Sequence, residues 1–274
     1  MKTIEFQEKQ FDGPYEVSEV QIKIDDQILR GILYFPPERF ARPYPLIIYF
    51  HGFPQLFTLE ELIKNHDYLL NEGYSLLVFN FRGYRISEGK VSIESQVKDA
   101  TQVLKFVKLM AKKKIFEIEN INILAHDFGA FIALIACSKE SFISKLLLLS
   151  PIIDVSKRVN DPRLVETLQY INKFLPGNVS GIENVEEFIK KTKEELKKDD
   201  FNLNDILGKV KCNHVKIIWG EKDKLTSFEE IEFVLKNINA NKSLTKIKSM
   251  DHYLIDDAEI NEVKVEIIKF FKLS

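Results

Sequence analysis

Cysteine, tryptophan and net charge are all scarce in this sequence, and each shortage closes off a class of function. Two cysteines, Cys137 and Cys212, stand far apart with no metal-ligand spacing, and Cys137 lies in an apolar helical run where it reads as buried filler. Against 39 basic residues stand 41 acidic ones, a formal net charge of −2. No broad field of either sign follows, so neither nucleic acid nor an anionic membrane is an expected partner. No apolar run approaches the ~20 residues that a membrane span requires. The opening MKTIEFQEKQ lacks the apolar stretch of a secretory signal, so the expected compartment is the cytoplasm. Internal repeats and low-complexity tracts are also missing.

What the sequence has is apolar mass. Hydrophobic residues make up 45% of the 274, and 21 residues are Phe. That is enough for one large α/β domain with a modest insertion, and short for two independent domains. Residues 16–24 and 27–35 are β-rich runs around Asp25-Asp26, a hairpin-type turn. After the prolines at 36, 37, 43 and 45, the run 45–50 (PLIIYF) suits a strand buried on both faces of a parallel sheet. Helix and strand then alternate: a helix over 59–70, a strand over 74–81, a helix over 94–110, a strand over 121–126, a helix over 130–138 and a strand over 145–150. Such alternation implies right-handed βαβ units in a doubly wound, mostly parallel sheet.

The rhythm stalls between Pro151 and about Lys211. Only amphipathic helical segments occur there, one with Leu164, Val165, Leu168, Ile171 and Leu175 at helical spacing, the next with Val185, Phe188 and Ile189. Alternation resumes with VKIIWG (215–220), a helix near 228–238, a strand over 243–248 and a closing helix from about Glu259. The expected organisation is therefore a core of 1–151 and 211–274, with 152–210 inserted between sheet strands as a small helical lid above the ligand-binding ends.

Chemistry in an open parallel sheet gathers beyond the carboxyl ends of its strands. Those positions carry His51-Gly52-Phe53-Pro54, Arg82-Gly83-Tyr84, Ala125-His126-Asp127-Phe128-Gly129, Gly220-Glu221-Lys222-Asp223 and Asp251-His252. An aspartate opening a helix is on its own an ordinary N-cap. In this company Asp127 reads differently. The order of elbow, acid and histidine, each after the expected strand, resembles the α/β-hydrolase superfamily over nearly the whole chain. Ala125–Gly129 matches its nucleophile elbow with Asp127 where serine is commonest. An aspartate there resembles epoxide hydrolases and haloalkane or haloacid dehalogenases of this fold.

That resemblance implies Asp127 as nucleophile, His252 as base and Asp223 as the acid orienting it, with Glu221 an alternative for the last. His51-Gly52-Phe53-Pro54 resembles the oxyanion motif of the same branches, which gives the hole to the backbone N–H groups of Phe53 and Phe128. His51 reads as a loop brace. Tyr170 is the tyrosine that the lid offers for substrate binding. The pattern also departs from these branches: Phe128 stands where dehalogenases typically have a halide-binding Trp, and the single tryptophan, Trp219, ends a core strand. The N-terminal strands with GILYFPP and the stretch FRGYRISEGK are more similar to serine-dependent, cinnamoyl-esterase-like carboxylesterases, which usually have Gly where Arg85 stands.

Aspartate changes the chemistry expected of the site. A carboxylate of ordinary pKa about 3.9 is ionised at neutral pH and needs no base before it attacks. It suits a carbon with a good or strained leaving group, such as an epoxide or halide. From an ordinary ester, the tetrahedral intermediate would expel carboxylate sooner than alkoxide. The expected ligand is a small apolar molecule, and no metal or organic cofactor is implied. An esterase scaffold with altered or no catalysis, binding a ligand or partner, is the alternative. Oligomeric state has no signature in the sequence.

Overall fold

The computed structural model describes residues 10–253 and 256–272. The first nine residues, most of the stretch read for a leader, lie outside them. In chain order the elements begin with β1 (Gln10–Asp12), β2 (Tyr15–Ile24), β3 (Gln27–Tyr34), β4 (Tyr44–Phe50), α1 (Leu59–His66), α2 (Tyr68–Asn71), β5 (Ser75–Phe79) and α3 (Ile93–Lys112). They continue with β6 (Phe116–His126), α4 (Phe128–Lys139), β7 (Ile143–Leu149), α5 (Val155–Val159), α6 (Pro162–Phe174), α7 (Val185–Glu195) and α8 (Leu203–Ile206). The last four are β8 (His214–Gly220), α9 (Phe228–Asn237), β9 (Asn241–Ile247) and α10 (Asp257–Lys272).

All the described strands form one sheet, ordered β1-β2-β3-β5-β4-β6-β7-β8-β9. The first four in that order pair antiparallel, and every pairing from β5 onward is parallel. β2 and β3 are joined through Asp25-Asp26, with Ile24 opposite Gln27 and Asp25 at φ 56°. A left-handed residue is what a tight hairpin needs, and aspartate tolerates it. From β4 the chain winds out to β5 and returns to β6 on the other side of β4. The crevice at that reversal is where such sheets bind ligands.

The parallel strands are apolar on both faces because both are covered. Along β4, Leu46, Ile48 and Phe50 enter one core with α3, α4 and the inserted helices, while Ile47 and Tyr49 enter a second with α1, α2 and α10. Each such fully buried side chain contributes roughly 1.5–3 kcal/mol. The helices start on side-chain caps: Thr58 with Glu61 for α1, Ser92 with Ser95 for α3, and Ser227 with Glu230 for α9.

Between β7 and β8 the described residues form helices and no strand. Leu164, Leu168 and Ile171 of α6 are buried, as their spacing predicts. This segment is stitched to the turn after β5: Ser180 N–H donates to the Gly83 carbonyl (2.6 Å), Arg85 N–H to that of Asn178 (2.9 Å) and Val91 N–H to that of Ser180 (2.9 Å). The Glu195 carboxylate accepts from Ile93 N–H at the start of α3 (2.9 Å). Three elements differ from the sequence reading. β1 is additional, the helix read over 59–70 is interrupted at Asp67, and β6 starts at Phe116 because Phe116 pairs with Tyr44 before the apolar run begins. Among the described residues no helix is long and apolar enough to cross a membrane.

Candidate active site

The turn from β6 into α4 holds Asp127 at φ 53°, ψ −124°, a conformation that costs a non-glycine residue on the order of 1–3 kcal/mol. Its surroundings fix it there. Asp127 N–H donates to Leu149 C=O, and its own carbonyl accepts from Ala130 and Ile152, each at 3.1 Å. The small residues of the motif have measurable reasons. A Cβ on Gly129 would stand 2.4 Å from the Phe50 carbonyl oxygen, and one on Gly52 would stand 2.2 Å from Asp127 Oδ2. Ala125 has no exposed surface.

As an N-cap Asp127 makes no side-chain bond to the helix. Its carboxylate turns the other way. Oδ2 accepts from Phe53 N–H at 2.8 Å, and Oδ1 lies 3.3 Å from His252 Nε2. The other imidazole nitrogen, Nδ1, lies 2.9 Å from Asp223 Oδ2, and since a carboxylate only accepts, Nδ1 carries the proton. Asp223 Oδ1 is held by Leu225 N–H (2.8 Å) and Thr226 N–H (3.1 Å). Gly220 lets the loop bearing His252 close on β8, for a Cβ there would lie 2.2 Å from the Met250 carbonyl oxygen. Glu221, the alternative acid, is exposed on the turn, and it is Asp223 that meets Nδ1.

Charge is unevenly matched here. Burial opposes a proton on His252, but the hydrogen bonds and charges of Asp127 and Asp223 outweigh it and push the imidazole up to about 9. Burial likewise works against ionised Asp127, and His252, His126 and the Phe53 N–H together hold its carboxyl below the usual range. At neutral pH the site is thus an imidazolium between two carboxylates. His51 differs: burial drops it to about 4, its Nε2 accepts from Phe81 N–H (3.1 Å) and Nδ1 donates to Gly52 C=O (2.9 Å). It braces the loop that carries Phe53. Phe128 opens α4, so its N–H has no intrahelical acceptor.

Beside Asp127 lies a narrow cavity. Its volume is small, about 30 Å³, and suits a ligand of only a few heavy atoms. Its walls are mostly apolar, and the inserted helices supply about half of them, including Val155, Val159, Leu164 and Phe188.

Tyr170 is not among the lining residues. It is 58% exposed on the outer face of α6, its ring 4.7 Å from that of Phe174, so the expectation that it meets substrate does not fit its position. The buried stripe of α6 passes through Leu168 and Ile171, about 100° around the helix from Tyr170. Trp219 is also committed elsewhere, its Nε1–H donating to Thr226 C=O at 3.0 Å. Sequence reading missed the polar lining residues Ser92, Gln96, Arg158 and Thr192. For Gln96 the signal was available, a polar residue on the apolar face of α3 between Ile93 and Val97 and Ala100. Among the described residues no group of three or more His, Cys, Asp or Glu side chains is arranged to hold a metal.

Known proteins of this architecture are numerous. The chain resembles Est1E from Butyrivibrio proteoclasticus, solved with ferulic acid bound, at 19% identity and TM-score 0.69 over 92% of this chain and 97% of that one. It resembles the Pyrococcus furiosus esterase Pf2001 at 21% identity and TM-score 0.70, over 94% and 90%. The 2,6-dihydroxy-pseudo-oxynicotine hydrolase is matched at 17% identity and TM-score 0.67, over 92% of this chain and only 66% of that longer one. At such identities the likeness is one of fold. No curated protein matches the sequence. The model of the alpha/beta hydrolase fold family matches residues 45–192, more than half of the chain, so this protein belongs to the α/β-hydrolase fold family.

Proposed function

We propose that the protein is a hydrolase in which Asp127 is the nucleophile, acting on a small, largely apolar electrophile of the epoxide or alkyl halide kind. The observation that carries this reading is the posture of the Asp127 carboxylate, one oxygen on the Phe53 N–H and the other facing the imidazole. In the first step Oδ1 gives an electron pair to an alkyl carbon and the bond from that carbon to its leaving atom breaks. The product is an ester of Asp127. Where the leaving atom is an epoxide oxygen, the proton that His252 carries at neutral pH balances the new alkoxide.

Esterification removes the charge of Asp127, one of the two that hold the proton on His252. The ring then falls back toward ordinary basicity, its first proton gone to the alkoxide or, where halide leaves, to solvent, and takes a proton from water as that water attacks Cγ of the ester. Oδ2, now the ester's carbonyl oxygen, becomes the oxyanion and already sits on Phe53 N–H, with Phe128 N–H as the second donor. Collapse expels the alcohol and returns the carboxylate. Asp223 keeps the imidazole in the tautomer this requires. The insertion, 152–210, acts as a lid, and the narrow cavity selects small substrates and excludes bulk water.

A second reading has its own support. Pf2001 is an esterase, and Est1E has been solved with ferulic acid bound. An esterase pocket whose serine has become aspartate would bind a ligand without turning it over. Intact-protein mass spectrometry of His252→Gln separates the two, because blocking the second step traps the ester. Exposure to short epoxides, haloalkanes and activated esters is expected to give an adduct on the Asp127 peptide with one of the first two classes. Absence of any adduct, with wild-type protein also silent in turnover, selects the binding reading.

A further inference from the structure

The cavity beside Asp127 has one buried polar group that neither the proposed chemistry nor the fold employs. Gln96, on the first turns of α3, is 1% exposed and lines the cavity. Its amide has one neighbour, the Tyr84 hydroxyl, at 3.5 Å from Nε2, and Oε1 has no partner among the described residues. The other polar lining side chains are engaged. Ser92 Oγ accepts from Ser95 N–H, Thr192 Oγ1 donates to Phe188 C=O, and Arg158 lies 3.4 Å from Asp161.

Two unmet groups meet at this pair, an amide oxygen without a donor and a Tyr84 O–H without an acceptor. The oxygen and nitrogen of a glutamine amide are assigned by their partners, and a half-turn of the amide resolves one mismatch. Tyr84 O–H then donates to Oε1, and the NH2 is left with two hydrogens to give, buried beside the cavity that Gln96 lines. Tyr84 is itself fixed, fully buried, its ring 4.7 Å from that of His51. Leucine or methionine would fill the place of Gln96 without stranding a polar atom, which costs roughly 1–3 kcal/mol when buried.

We propose that the Gln96 amide, oriented by the Tyr84 hydroxyl, is a substrate-positioning donor that binds an oxygen acceptor on the substrate, so that among the electrophiles suited to Asp127 the site takes oxygen-bearing ones, epoxides, over simple haloalkanes. This rests on the reading of Asp127 as nucleophile for its last clause only. A donor in an apolar pocket rejects ligands lacking the acceptor, because the amide is then left desolvated and unpaired. A haloalkane offers no such acceptor. An epoxide oxygen gains negative charge as its ring opens, and an N–H donor there strengthens as the bond breaks.

Binding and reaction are tested separately. Acetone and isobutene have nearly the same shape, differ in one acceptor oxygen and are small enough for a narrow cavity. In wild-type protein, NMR titration is expected to show the ketone bound about tenfold more tightly, the worth of one buried hydrogen bond, with the Gln96 side-chain NH2 resonances shifting. Gln96→Leu is expected to erase that difference and leave the alkene's affinity unchanged, and Tyr84→Phe to reduce it. In the His252→Gln background, Gln96→Leu is expected to slow labelling of Asp127 by short epoxides about tenfold and leave 1-bromoalkanes of equal carbon number unaffected. Equal binding of ketone and alkene by wild-type protein, which would mean that the amide merely holds water, overturns the inference. So does equal slowing of both reagents. Absence of labelling by either reagent, with the ketone preference intact, counts against Asp127 as nucleophile and leaves Gln96 as the donor for an oxygen-bearing ligand.

Discussion

Two clusters of buried charge lie beyond the carboxyl ends of the strands, one after β5 and one after β6, β8 and β9, and they are built on opposite principles. In one, Arg82 gives Nε to Asp99 Oδ1 (2.6 Å) and its backbone N–H to Oδ2 (2.7 Å), with further donors spent on Ser95 C=O and Gln27 Oε1. The cation meets one fully buried anion, Asp99, and at 3.6 Å a second, exposed one, Asp25. In the other, two carboxylates share one imidazole, the farther of them, Asp127, stands on a strained backbone, and a cavity lies against it. A closed pair fixes the chain; an anion-rich, strained group beside open space is poised to react. Removing one partner from the closed pair strands the other charge, whereas removing Asp127 relieves an excess.

The sharpest break of this contrast compares Asp127→Asn with Asp99→Asn. The first is expected to lower turnover by on the order of 10⁴-fold, as loss of one member of a cooperating catalytic set does, with little loss of stability. The second is expected to lower stability by about 3 kcal/mol and to leave turnover per folded molecule nearly unchanged. Denaturant unfolding alongside a turnover assay reads both. If Asp127→Asn keeps its turnover, the reacting cluster lies elsewhere.

A smaller effect tests the charge state of the site. His252 rises from an ordinary value of 6.5 to about 9 in the folded protein, so the folded state holds a proton that the unfolded chain releases. The stability this provides is complete below pH 6.5 and is lost as pH rises through about 9. Its size is on the order of 3 kcal/mol, from the shift at 1.36 kcal/mol per unit. Urea unfolding from pH 6 to pH 10 should show that decline in wild type and a flatter profile in His252→Gln. Equal slopes would mean that the imidazole is neutral in the fold.

The same contrast explains what the sequence could show. Strands buried on both faces appear as unbroken apolar runs, so β4, β6, β7 and β8 are legible, and the elbow is legible because packing at 2.4 Å from the Phe50 carbonyl excludes any side chain at Gly129. The approach of Asp223 to His252 is legible only through resemblance, for the two lie on different loops brought together by Gly220. Gln96 left a signal, a polar residue on the apolar face of α3, but its unpaired amide is visible only in the structure. Tyr170 misled through chemistry alone. A tyrosine in a lid suggests a proton donor, yet the stripe through Leu164, Leu168 and Ile171 already turned it outward. Arg85 at a family glycine position is informative in the same way, since its φ of 47° is one that glycine adopts freely.

Arg85 therefore gives the finest test of how the two clusters are joined. It leads from the Arg82 cluster toward the active-site rim, and its Nη1 donates to Leu56 C=O and to Asn178 Oδ1, both at 2.9 Å. Arg85→Gly relieves the left-handed strain, but it loses both bonds and loosens the unfolded chain, so the opposing terms nearly cancel. The expected change in global stability is under about 1 kcal/mol, in either direction. Local order should fall nonetheless, because those bonds tie the loop after β4 and the loop between α6 and α7 to the same side chain. Amide hydrogen exchange at residues 178–180 is expected to accelerate while that of β4 and β6 stays as it was. Unchanged exchange at the rim would show that backbone pairing through Gly83 and Val91 alone holds the insertion over the cavity.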